Sequence, residues 1–173
     1  MTEAISTFSS LNLVHDPDLN TKTAEILLGL EYWRDIRGSC VMPSPDDLDA
    51  IQIPNSVLPH ISLLDIEYLP EKRFHWRLIG TAITSALSRD MTGQYWDEIY
   101  SEDILAAWLH TVDVVMQSRR PLRFTAKAHV VGKEIFDAEH IYMPMSRDDD
   151  RIDRLLTISI FTNSNGVIWR PFT

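Results

Sequence analysis

The sequence predicts one α+β domain: a five-stranded antiparallel sheet with helices between its second and third strands and an N-terminal helix covering the sheet. Three observations lead there. Apolar residues recur at period 2 in segments joined by short turns, which pairs chain neighbours antiparallel. Helical periodicity is confined to one stretch before the first strand and one block between the second and third, so the chain does not alternate as a doubly wound fold does. The chain has 173 residues, 45% hydrophobic and 24% charged, which suits one domain with its own core.

The elements follow in order. Residues 1–20 are polar and unpatterned, with Asp16-Pro17-Asp18 as a turn signal, and read as an extended arm ahead of a domain spanning 21–173. A helix is expected over 21–38. It opens at Thr21 or Thr23 with an incomplete capping box, carries Ile26, Leu30 and Trp33 at helical spacing, and stops at Gly38. Leu27, Leu28 and Ile36 make it apolar over more than one face. Such a helix must cover the outer sheet face, pair with a second copy, or both. Leu27, Leu30 and Trp33 are the residues assigned to that role, against outward-facing Ile141 and Leu155.

Prolines 43, 45, 54 and 59 with Asp46-Asp47 mark a region of loops and turns. Ile61–Leu69 and Arg73–Ile79 read as strands, the second with Phe74, Trp76 and Leu78 set against Arg73, His75 and Arg77. Short helical segments are expected at 82–87 and 95–100. Ser101-Glu102-Asp103 then starts a long helix with Ile104, Trp108, Thr111 and Val115 on one line. Leu122–Val131, Glu134–Met143 and Leu155–Thr162 complete the sheet, with Gly132-Lys133 as a hairpin turn and 146–153 as an acidic loop.

Several function classes find no support. The net charge of −9 opposes a phosphate backbone, and Arg119, Arg120 and Arg123 read as a solvated helix end. No membrane span or secretory leader is visible, and the single Cys40 forms no internal disulfide, so a cytoplasmic protein is expected. Metal-ligand spacing is missing from the six histidines, Asp148-Asp149-Asp150 lacks the rest of a calcium loop, and no nucleophile elbow or phosphate-binding glycine loop occurs. No haem, flavin or metal signature is present, and no catalytic residue is assigned.

What remains is a set of inward-facing large side chains. In 136–143, one face is Phe136, Ala138, His140 and Tyr142, and the other carries Asp137, Glu139, Ile141 and Met143. The less charged face belongs inside, although a slip of one residue exchanges the two. Trp76 on its strand and Trp108 on the long helix face each other across the core, with Phe124 beside them.

The residues resemble the PAS_5 branch of the PAS superfamily, a bacterial type. The likeness is carried by Tyr32-Trp33-Arg34-Asp35-Ile36-Arg37-Gly38, Met42-Pro43-Ser44 and Leu58-Pro59-His60-Ile61-Ser62-Leu63-Leu64-Asp65. It continues through Arg73-Phe74-His75-Trp76-Arg77-Leu78-Ile79-Gly80-Thr81, Arg89-Asp90-Met91-Thr92-Gly93 and Met143-Pro144-Met145-Ser146, so that it spans 24–162. The chain departs from the family pattern at Pro45, where an arginine is usual, and at Ala50, where a proline is usual.

The resemblance implies a sheet curved round a central pocket, lined here by Trp76, Trp96, Trp108, Phe124, His140 and Tyr142. It implies a stand-alone sensory or protein-interaction module that binds a small ligand or a partner protein; the apolar helix 21–38 adds the expectation of a homodimer. Two rivals stand beside this expectation. One is an isomerase-like enzyme on a cone-shaped α+β fold, using Asp137 or Glu139 with Tyr142. The other is a structural adaptor with a filled core.

Overall fold

The computed structural model describes residues 8–130 and 135–170. Its centre is a six-stranded, wholly antiparallel sheet of strands β1 (Phe8–Asp16), β2 (Ile61–Glu67), β3 (Arg73–Ile79), β4 (Leu122–Val130), β5 (Ile135–Met145) and β6 (Arg154–Thr162). Their order across the sheet is β1-β4-β5-β6-β2-β3. The helices are α1 (Ala24–Arg37), α2 (Thr81–Leu87), α3 (Trp96–Ile99) and α4 (Glu102–Ser118).

The sixth strand corrects the expectation of five. Residues 8–16, read as an arm, pair along β4 from Phe8 opposite Val130 to Asp16 opposite Arg123. The alternation here is short, Leu11, Leu13 and His15 against Asn12 and Val14, and it is easily passed over beside the polar residues that precede it. Side chains hold it in place as well: Leu13 packs against the core, His15 is hydrogen-bonded to Thr111 of α4 at 3.0 Å, and Arg123 on β4 reaches Asp16 at 2.7 Å. The expected Gly132-Lys133 turn lies outside the described residues.

Two layers flank the sheet. On the inner face, α4 packs with its buried line Ile104, Trp108, Thr111, Val112 and Val115 turned to β1, β4 and β5. On the outer face, α1 lies over β5 and β6, burying Ile26, Gly29, Leu30 and Trp33. The approach is close at Gly29, where an added Cβ would stand 1.9 Å from Ile158 Cδ1. The Trp33 indole N–H donates to the Pro144 carbonyl at 3.0 Å, so the helix is tied to the sheet as well as packed on it.

The start of α1 shows why the capping signal was incomplete. Thr23 is the N-cap residue but makes no side-chain cap hydrogen bond. Its hydroxyl and that of Thr21 both donate to the Glu139 carboxylate instead. The helix ends at Gly38, whose φ of 53° is in the left-handed region that favours glycine. By contrast, Ser44 closes a complete capping box over the 3₁₀ turn Pro45–Asp47. Pro45, the departure from the family pattern, sits at the first helical position, where its missing N–H costs nothing.

Two facing assignments change. Phe74 and Trp76 point inward as expected, but Leu78 is 44% exposed and Ile79 is buried. The β2–β3 register shifts between Leu63 and Leu64, so that Leu63 opposes Leu78 while Leu64 opposes Trp76. Arg77 is the extra residue of this bulge, which exchanges the two faces beyond it. Leu155 is the second case. It shares the inner face with Thr157, Ser159 and Phe161, and Leu156 with Ile158 forms the outer face, since period 2 from the inward Ser159 leaves no other choice.

Candidate functional site

The inner face of β5 carries His140 and Tyr142 into the space under α4. His140 stacks on Phe124 of β4 with ring centroids 4.8 Å apart, and its Nδ1 is 2.8 Å from Ser159 Oγ on β6. Tyr142 stacks parallel to Trp108 at 6.4 Å. Trp108 meets Phe124 edge-on at 6.0 Å and His140 at 5.8 Å. Trp96, at the start of α3, extends the same cluster to Trp108, to Trp76 at 5.5 Å and to Phe74 at 5.2 Å.

The six expected lining residues therefore meet in one place. Trp76, Trp96, Trp108, Phe124, His140 and Tyr142 are all buried and touch one another in a chain of rings. They consume the space between helices and sheet. The gap left among Trp76, Ile83, Tyr100, Trp108, His140 and Tyr142 is about 30 Å³, room for a water or two.

Polar groups in this centre are neutral near pH 7. Burial pushes the His140 imidazole down to about 3, against a small opposing pull from Glu139. Burial likewise lifts the Tyr100 hydroxyl to about 12, despite the hydrogen bond from the Trp76 indole N–H at 3.3 Å. Tyr142 is raised well above the ordinary tyrosine value, first by burial and then by Tyr100. On the next strands, Ser62 and Thr157 hydroxyls pair with each other at 2.7 Å. The site is a set of uncharged hydrogen-bonding groups that mostly satisfy one another.

Sequence reasoning missed Ser62, Tyr100, Thr157 and Ser159. Thr157 and Ser159 left a signal: two small hydroxyl residues two apart inside the apolar run 155–161, which on a strand places both on one face. Tyr100 left none, because the short α3 sets its direction.

The carboxylate pairings required by an isomerase are not formed. Glu139 is on the opposite face of β5 from Tyr142. Burial raises its carboxyl, but hydrogen bonds from Thr21, Thr23 and Arg123 outweigh that and hold it below the usual range. Asp137 is mostly exposed, 4.0 Å from Lys127. His110 is exposed on α4 and Cys40 is exposed after α1, both outside the centre. Among the described residues, no three metal-ligating side chains cluster, and no helix is long and apolar enough to cross a membrane.

The outer face is more open. A groove of about 590 Å³ runs between the sheet and the proline-rich segment 45–59. Its floor is Ile61 and Leu63 of β2, Leu78 of β3 and Leu156 of β6, and its lip includes Leu48, Ile53 and Leu58. The bulge at Arg77 creates this groove in part, because it is what turns Leu78 outward.

Comparison with known proteins gives one result: a family model described as a PAS domain, PAS_5, matches residues 21–160. No curated protein and no solved structure matches the chain. The match takes in α1, both flanking layers and every strand but β1, together with all six aromatic and imidazole residues of the centre, and on that ground the chain belongs to the PAS_5 family of PAS domains.

Proposed function

We propose that this PAS domain is a non-catalytic interaction module that works through its outer surface, with a protein as its partner. The observation that carries the reading is the contrast in room. The centre holds about 30 Å³ of free space, and the outer apolar groove about 590 Å³. Small-molecule sites run to roughly 300–1,000 Å³, so the centre as it stands fits no ligand beyond water. The stacked rings of Trp108, Tyr142, Phe124 and His140 instead make it a stiff core that fixes the outer face.

The groove suits an apolar segment of a partner protein, with Leu58, Leu63 and Leu78 as the contacts. The segment that forms its lip packs against α1: buried Val57, next to the lip residue Leu58, stands 3.6 Å from the position of a Gly29 Cβ. The sequence-based expectation of a homodimer through α1 enters here. Leu30 and Trp33 are spent on the chain's own sheet, and Leu27 and Leu28 remain 46% and 36% exposed. Two leucines fall far short of the roughly 800 Å² per partner that a stable interface buries. A homodimer would have to recruit the groove as well.

Native mass spectrometry of the purified protein, with an absorbance spectrum, tests the central reading. The expected result is the bare polypeptide mass and no visible band. A small molecule retained in stoichiometric amount would overturn it and make the protein a ligand sensor. Sedimentation at about 50 µM, well above a micromolar dissociation constant, separates partner from second copy. A dimer dispersed by Leu78→Arg would make the partner another copy of this chain.

A further inference from the structure

The C-terminal ends of α1 and α4 converge on a cleft of about 720 Å³, well away from the central ring cluster. Four arginines line it: Arg34 and Arg37 from the last turn of α1, and Arg119 and Arg120 from the end of α4. Between them lies an apolar floor of Leu19, Trp33 and Val41. The Trp33 ring is held by its hydrogen bond to Pro144, and the Arg37 guanidinium stands over it at 5.7 Å.

Cations at helix C-termini have an ordinary explanation, since they complement the helix dipole. Its size decides whether that is enough. Each helix end carries roughly half a negative charge, so two ends account for about one of the four positive charges. A second is met by Asp150, whose carboxylate is 2.8 Å from Arg119, with the Asp149 carbonyl also in reach at 3.5 Å. Arg34, Arg37 and Arg120 have no carboxylate partner among the described residues. The Arg37 Nε is moreover buried without a hydrogen-bond acceptor among those residues. In a chain with 25 acidic and 16 basic residues, about two positive charges of this cleft are thus left unbalanced and open to an anionic ligand.

We propose that this cleft is a binding site for a small organic phosphate, its phosphoryl oxygens held by Arg34, Arg37 and Arg120 and its apolar part resting on Leu19, Trp33 and Val41. The planar, five-donor guanidinium matches phosphate oxygens two at a time. A cleft of this volume with an apolar floor is larger than inorganic phosphate needs. The site is independent of the reading of the centre, and a ligand found among the central rings would leave it untouched.

Cys40 lines the same cleft and is the only cysteine in the chain, so thiol kinetics report on this place alone. The probes are dianionic 5,5′-dithiobis(2-nitrobenzoate) and neutral 4,4′-dithiodipyridine, each with and without ATP. At low salt, the dianionic reagent should gain about tenfold over the neutral one relative to a simple thiol. ATP at up to about 5 mM, the range of weak specific binding, should slow both reagents saturably. Arg34→Gln combined with Arg120→Gln alters two exposed side chains that the fold does not pair, and it should abolish both effects while circular dichroism stays unchanged. Failure of ATP to protect Cys40, or protection that persists in the double variant, would overturn the proposal. Pyrophosphate protecting as well as ATP would overturn the role of the apolar floor.

Discussion

His140 ties the stability of this domain to pH through a single buried imidazole. Burial holds its pKa at about 3 when folded, against about 6.5 for a histidine in an open chain. Between these values the unfolded chain takes up a proton that the native centre refuses. Stability therefore rises with pH across that window and falls as pH drops from about 6.5 toward 3. At pH 4.5 the difference is about two pH units of uptake, or about 3 kcal/mol. His15 and His60 are lowered in the same direction, both chiefly by burial, so the wild-type loss alone does not isolate His140. His140→Gln does, since an amide can still reach Ser159 and has no proton to gain. Urea unfolding of both proteins at pH 7 and pH 4.5 should show the wild type losing about 3 kcal/mol more than the variant over that interval. Equal losses in the two proteins would refute the reasoning and mean that the imidazole is protonated or solvated in the native centre.

Two further perturbations examine the packing. Gly80→Ala should destabilise by about 3 kcal/mol, at the upper end of overpacking costs, because a Cβ there would meet the Pro59 carbonyl oxygen at 2.3 Å and the Ile61 oxygen at 2.8 Å. Thermal unfolding should show a drop of about 6–12 °C; an unchanged or raised midpoint, the usual result of shortening the unfolded chain's freedom, would contradict the contact. Trp108→Ala should cost about 3–5 kcal/mol and open the filled centre. Added indole should then raise the melting temperature of the variant and not that of the wild type; no rescue would mean that the rings collapse into the space.

The strand and helix pattern was legible because it rests on local periodicity. Period 2 over 136–143 placed His140 and Tyr142 on the less charged face, and the structure puts them under α4. The 3.6-residue line Ile104, Trp108, Thr111 and Val115 is the line that α4 buries. Where a local rule was interrupted, the reading failed. The bulge at Arg77 moved Leu78 to the outer face, and no residue type signals a bulge made by ordinary side chains. Leu155 and Leu156 are both buried leucines, so only the inward Ser159, two pleats on, decides which of them faces the helices.

By itself the sequence determined the α+β class, the helix positions and the aromatic residues of the centre, because each follows from the spacing of side chains near in the chain. Tertiary structure alone decided three matters. It built residues 8–16 into the sheet by pairing them with β4, more than a hundred positions away in the chain. It showed that six large rings fill the pocket they were expected to line, a question of volume that no spacing encodes. It brought Arg34 and Arg37 beside Arg119 and Arg120, more than eighty positions apart in the chain. In sequence each pair is an ordinary helix end. Only where the two ends meet does their charge exceed what the helix dipoles and Asp150 can balance, because electrostatic sums depend on distance in space and not along the chain.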